Sequence, residues 1–285
     1  METARRRDVG GANDQGTVFE IAKTNRGYAS TPTVLVSFCS LPNCADGANP
    51  SAGLIFDAKG NLFGTTADGG PNNQGANQGG TVFEVAKTDH GYASTATTLV
   101  SFCSLPNCAD GANPSAGLIA DAKGNLFGTT RGIGIIPSLG VFGTVFEVAK
   151  TDHGYASTAT TLVSFCSLGF PNCADGAGAD GDLIADSEGN LFSTTGAGGA
   201  NGLGTVFEVT DTGFVIFAGT PGKPNCFGQS VAALARQYGG LNAAAEALGY
   251  PSVRALQKAI LEFCEPDEAA EHDRKRERDQ SAQLD

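Results

Sequence analysis

Tryptophan is absent from this chain of 285 residues, methionine occurs once and histidine three times. Seventeen phenylalanines therefore supply most of the aromatic bulk. No apolar run approaches the roughly 18 residues of a membrane-spanning helix, so no membrane span is expected. The basic start Met1-Glu2-Thr3-Ala4-Arg5-Arg6-Arg7 lacks the apolar stretch that follows it in a secretory leader. Positive charge is scarce as well. The formal net charge is −12 and the isoelectric point lies near 4.6. Phosphate backbones repel such a surface, which disfavours nucleic acid as the main partner. The glycine-rich loops contain no Walker lysine, so a phosphate cradle is a weak reading of them. Between residues 17 and 217 no segment shows a helical period.

What is abundant is glycine, with 40 residues, against 17% of charged residues. That balance suits many strands joined by tight turns. Thr17-Val18-Phe19-Glu20 recurs as Thr81-Val82-Phe83-Glu84, Thr144-Val145-Phe146-Glu147 and Thr205-Val206-Phe207-Glu208, at spacings of 64, 63 and 61 residues. Residues 17–66 and 81–130 differ at six of fifty positions. Self-similarity at a fixed period marks a repeat architecture. Within one copy, GTVFEVA (80–86) and TTLVSFC (97–103) are β-rich runs joined by a polar turn over 87–94. GLIAD (117–121) and NLFGTT (125–130) follow as a hairpin. Its turn repeats as Asp57, Gly60, Asn61; Asp121, Gly124, Asn125; and Asp186, Gly189, Asn190. Glycine accepts positive φ there and asparagine tolerates it. Four antiparallel strands per copy predict an all-β repeat, a partial β-propeller of about 3.5 four-stranded blades.

The string GLIADAKGNLFGTT, a glycine-rich loop and then GTVFEV resembles the bacterial GloVer tandem-repeat proteins over residues 9–217. The resemblance implies an exported or surface-attached repeat protein with a variable C-terminal anchor and no assigned catalytic activity. In that phase residues 52–103, 116–166 and 181–217 are full blades and 16–39 is half of one, preceded by a loop segment 1–15. The chain thus starts in mid-repeat, either through truncation or as a genuine 3.5-unit protein that is an open arc or self-associates through incomplete blade edges; truncation is the preferred expectation.

Each copy holds a close cysteine pair: Cys39/Cys44, Cys103/Cys108 and Cys166/Cys173. The third loop is two residues longer yet keeps both cysteines, which favours local disulfides over free thiols or zinc. Cys226 and Cys264 bracket the C-terminal region and would staple it. Disulfides imply an extracytoplasmic or secreted location.

From about residue 220 the pattern turns helical. Residues 221–264 predict three short helices over 230–238, 241–248 and 252–263, with Ser230 and Ser252 as N-caps. Residues 265–285 mix charges without apolar partners and read as a disordered tail or a frayed, solvated helix extension.

No catalytic residue, metal site or cofactor is assigned. His90 and His153 sit at equivalent turn positions where the first copy has Arg26, and His272 lies in the tail. Asp46, Asp110 and Asp175, like Asp57, Asp121 and Asp186, read either as turn caps or as calcium ligands. The expected function is non-enzymatic binding or display, with an unknown extracellular ligand or protein as partner. An extracellular hydrolase acting on carbohydrate needs a non-repeated acidic or histidine cluster, and none is evident. A DNA-binding regulator would use the helix-turn-helix-like segment 241–260. Any ligand is expected at the variable loops 64–80, 128–143 and 193–204 or in a central channel.

Overall fold

The computed structural model describes residues 11–25, 27–57, 59–72, 79–133, 142–170, 172–186, 188–217 and 225–264. The expected tail 265–285, His272 and residues 1–10 lie outside them. The first copy holds β1 (Thr17–Glu20), β2 (Lys23–Thr24), β3 (Gly27–Tyr28) and β4 (Thr33–Ser37). The second holds β5 (Ile55–Phe56), β6 (Leu62–Thr66), β7 (Thr81–Val85), β8 (Lys87–Thr88), β9 (Gly91–Tyr92) and β10 (Thr97–Ser101). The third holds β11 (Ile119–Ala120), β12 (Leu126–Thr130), β13 (Thr144–Val148), β14 (Lys150–Thr151), β15 (Gly154–Tyr155) and β16 (Thr160–Ser164). The fourth holds β17 (Ala177–Ala179), β18 (Ile184–Ala185), β19 (Leu191–Ala197) and β20 (Thr205–Val209).

Tight turns join β5-β6, β11-β12, β18-β19 and the short pairs β2-β3, β8-β9 and β14-β15; the other pairings close across longer loops or across intervening strands. The second and third copies each form a four-stranded antiparallel sheet, ordered β5-β6-β7-β10 and β11-β12-β13-β16. The first copy contributes the pair β1-β4. Within the polar turns expected after each TVFE strand lies a further two-residue hairpin, such as β8-β9. Each pairing of a TVFE strand with the strand after it shifts register at one point, at Val18/Phe19, Thr98/Val100 and Val145/Phe146. A bulge kept in three copies bends each sheet alike.

Val82, Phe83 and Val85 are all buried although they point to alternate faces. Both faces are covered because successive sheets stack. Phe38 meets Phe83 with ring centroids 4.9 Å apart, Phe102 meets Phe146 at 4.9 Å and Phe165 meets Phe207 at 4.8 Å. One ring contact therefore recurs at each junction, contributing about 1 kcal/mol beyond the area buried. Around it, Val18 and Val36 pack with Val85, and Phe63, Val82 and Val100 pack with Leu118, Leu126 and Val148.

The fourth copy departs from expectation. β19 pairs with β18, β20 and β17, but residues 211–217 form no strand, so 181–217 is not a full four-stranded blade. The apolar residues that read as its last strand are recruited elsewhere. Val215 and Phe217 are buried in the core of the helical region, and Ala122 N–H donates to Val215 O at 2.8 Å.

Two compact units are distinguishable. One runs to Ala120 and takes in Gly124–Ile184 and Phe192–Val209; the other combines Asp121–Lys123, Ala185–Leu191 and the chain from Thr210. The second contains α1 (Cys226–Tyr238), α2 (Leu241–Ala247) and α3 (Val253–Cys264). Its core gathers Leu234, Ala244, Ala245, Leu248, Leu256 and Ile260. Gly239, at φ +72°, ends α1 in the left-handed conformation that glycine adopts without a Cβ penalty. Ser252 caps α3 through Ala255 N–H. Ser230 does not cap α1: the helix starts four residues earlier and buries Ser230 inside it. No helix among the described residues is long and apolar enough to cross a membrane.

Candidate ligand site at the third junction

In the second and third copies antiparallel order puts three features at one end of the sheet: the end of the LFGTT strand, the start of the TVFE strand and the cysteine loop. The structure pairs Cys39 with Cys44, Cys103 with Cys108, Cys166 with Cys173, and Cys226 with Cys264. In the first loop Asp46 accepts from the Ser40 amide at 2.8 Å, the Ser40 hydroxyl at 2.6 Å and the Leu41 amide at 3.2 Å. Asp110 does the same with Ser104 and Leu105, and Asp175 with Ser167. Burial pushes the Asp175 carboxyl up, but hydrogen bonds from Ser167 and neighbouring amides outweigh it and hold it below its ordinary value. These carboxylates organise loops.

The glycine after each loop aspartate fits against a threonine pair, buried at the first two junctions and part-buried at the third. Thr130 Oγ1 and Thr144 Oγ1 lie 2.8 Å apart, and a Cβ on Gly111 would stand 2.6 and 2.8 Å from them. Gly47 on Thr66/Thr81 and Gly176 on Thr195/Thr205 repeat the contact. Each disulfide loop thereby clamps the next sheet.

At the opposite end, the hairpin residues cap their own turns. Asp57 accepts from the Lys59 and Asn61 amides and from Asn61 Nδ2, with Gly60 at φ +81°. Asn61 Oδ1 then accepts from the Lys87 amide, as Asn125 Oδ1 does from Lys150. Asp121 accepts from Lys123, with Gly124 at φ +83°. Asp186 accepts from Glu188 and Asn190, with Gly189 at φ +85°. Burial raises the Asp186 carboxyl, and the bonds from Asn190 and Glu188 more than offset it, leaving it below its ordinary value. His90 and His153 are exposed turn residues whose amides bond Thr88 and Thr151.

Apart from the Cys226–Cys264 bridge, each of these groups exists in several copies. The third junction is different. Where the first two have Asn49-Pro50 and Asn113-Pro114, it has Gly178-Ala179. Pro114 fills its junction tightly: a Cβ on Gly80 would stand 2.5 Å from Pro114 Cδ. Asn49 Nδ2 bonds Asp68 Oδ2 at 2.6 Å. At Gly178 a Cβ would meet nothing nearer than Arg131 Cγ at 4.0 Å. The vacated space is a pocket of about 330 Å³ lined by Arg131, Phe142, Ala177, Gly178, Asp180, Gly196 and Ala197. Its floor is the β17-β19 pairing, Ala177 opposite Ala197, and Gly178 N–H donates to Phe142 O at 2.6 Å. Arg131 Nε stands 3.9 Å from Asp180 Oδ2, both side chains well exposed. The two residues inserted in the third cysteine loop are Gly169 and Phe170, and Phe170 stacks on Phe142 at 6.1 Å and 20°.

Arg131 replaces Ala67, and Asp180 replaces Ser51 and Ser115. The cluster is built from residues that do not recur, so the mismatches between copies mark it. The expected loop 128–143 does border it through Arg131 and Phe142, while residues 134–141 of that loop lie outside the described ones. Loop 64–80 has no such cluster among its described residues.

The family described as the Gloeobacter/Verrucomicrobia repeat matches residues 7–170. No match was found among curated proteins. The matched segment takes in the first two junctions and reaches the inserted Phe170, stopping short of Gly178 and Asp180.

Proposed function

The chain belongs to the Gloeobacter/Verrucomicrobia repeat family, and from that premise we propose that it is a non-enzymatic, extracytoplasmic module that binds or displays. Its stacked four-stranded sheets are read as blades of a partial propeller, and the third junction as its binding face. The observation that carries this reading is where the copies stop being alike: the departures meet around one pocket. The repeated carboxylates and histidines are absorbed by their own turns, which supports a binder over a hydrolase. Disulfide loops at successive junctions support an oxidising compartment.

A second surface supports self-association as part of the same reading. Phe19 and Ile21 on and beside β1 are 54% and 50% exposed, whereas their counterparts Phe83 and Val85 are 0% exposed. Among the described residues β1 pairs with β4 alone, and such an edge is a template for another strand.

Protein recovered from its native cells and alkylated before reduction tests the compartment. Four intact disulfides in an extracytoplasmic fraction are expected; free thiols in the cytoplasmic fraction would sink it.

A further inference from the structure

We propose that the third-junction pocket binds a neutral polyhydroxylated ring, the hexose unit of a carbohydrate. The inference rests on the reading of the module as a binder and adds the chemical class of what it binds. The pocket's size, about 330 Å³, is at the small end for ligand sites, which suits one or two rings. Its floor is glycine and alanine, so a ring can approach the backbone closely. Phe142 offers an apolar edge, held in place by Phe170 stacked on it.

The polar groups select among small ligands. Arg131 and Asp180 put a fork of N–H donors beside carboxylate acceptors on one rim, 3.9 Å apart. A hydroxyl both donates and accepts. Two adjacent hydroxyls can therefore bridge carboxylate and guanidinium without parting them. A zwitterion such as an amino acid would have to break the pair in order to match each charge separately. An anion would meet Asp180 and a chain of net charge −12. A purely apolar guest would leave the donors and acceptors of the rim unused. The rim is neutral in sum, and a neutral, hydroxyl-rich ligand is the class that satisfies both of its members.

Gly178→Asn provides the discriminating variant, because it restores the residue found at the other two junctions. Asn49 and Asn113 adopt φ +57° and +56°, and Gly178 is at +68°, so asparagine fits the backbone while its side chain fills the pocket. Saturation-transfer NMR on the intact, oxidised chain would use glucose, galactose, mannose and cellobiose as probes, with glucuronate and glycine as the charged alternatives. The expected result is transfer to at least one neutral sugar, weakened about tenfold or more by Gly178→Asn and by Asp180→Asn, with the melting temperature of Gly178→Asn not lowered. Absence of transfer to every neutral sugar would overturn the proposal. So would a sugar signal indifferent to Gly178→Asn, which places the ligand elsewhere. Transfer to glycine or glucuronate that Gly178→Asn abolishes would overturn the ligand class while leaving the binding module standing.

Discussion

In the loops between sheets a disulfide closes sequence separations of 5, 5 and 7; in the helical unit it closes 38. The short bridges lock a loop whose shape is otherwise unfavourable. All six of their cysteines have positive φ, from +39° to +59°, a region that costs a non-glycine residue about 1–2 kcal/mol. The long bridge instead holds a small domain together. Three helices of 13, 7 and 12 residues surround one core, and a unit that small gains little stability from burial alone. In the sheet unit, stacking carries the stability and disulfides shape the surface. In the helical unit the disulfide is part of the stability.

Removing the long bridge is the strongest way to break that contrast. By chain entropy Cys226→Ser/Cys264→Ser costs about 4 kcal/mol, and it places serine where Cys226 and Cys264 are buried. The far-UV helical signal should disappear and proteases should cut within 225–264, with the β signal persisting. Intact helices in that variant would show that the core of Leu234, Leu256 and Ile260 suffices.

Next in size is Gly111→Ala. Its φ of +100° and its approach to Thr130 and Thr144 combine strain with a collision, for a loss of about 3 kcal/mol. Gly91 has φ +128° and nothing within 4 Å, so Gly91→Ala isolates the strain at about 1 kcal/mol. Equal losses in denaturant titrations would remove the threonine clamp as an explanation for the glycine.

Cys103→Ser/Cys108→Ser should cost about 2 kcal/mol, half the effect of the long bridge. The loop should become a protease site while the sheets on either side keep their amide protection. Smaller still is the effect of acid. Hydrogen bonds hold the Asp175 and Asp186 carboxyls below the ordinary aspartate value of 3.8. Their contribution to stability is therefore complete above that value and is lost as pH falls through the folded values beneath it. Carboxyl NMR titration should place both resonances below those of an unfolded peptide. A midpoint at or above 3.8 for Asp175 would discount its bonds to Ser167.

Strand positions, turn residues and the partners of the three short disulfides were legible in the sequence because local spacing determines them. Asp57 can bond the amides of Lys59 and Asn61 whatever surrounds it. The fate of Phe214–Phe217 was not legible, because an apolar run fits a last strand as well as a helical core, and tertiary packing chose the core. The start of α1 was missed for a related reason: Ser230 has cap chemistry but sits where the helix packs inward. The pocket was legible only in outline: the variable loops 128–143 and 193–204 border it, but its unrepeated residues form no pattern of their own. Its signal is a set of mismatches between copies, at Arg131, Phe142, Phe170, Gly178 and Asp180, that are separate in the third and fourth copies' sequence and come together only when the sheets stack.

The smallest predicted effect on stability bears most directly on the comparison between junctions. Gly178→Asn and Asn113→Gly exchange the residue that separates a filled junction from an open one. The first should be neutral or stabilise by up to about 1 kcal/mol, because the unfolded chain loses freedom that the folded backbone never used. The second should cost about 1 kcal/mol for the converse reason, with a further loss for whatever its side chain holds at the second junction. Thermal melts of both variants beside the parent would show the asymmetry. Were Gly178→Asn to destabilise instead, the space at the third junction would be needed by the fold itself, and the pocket would be a packing consequence of Ala179 rather than a site kept open for a ligand.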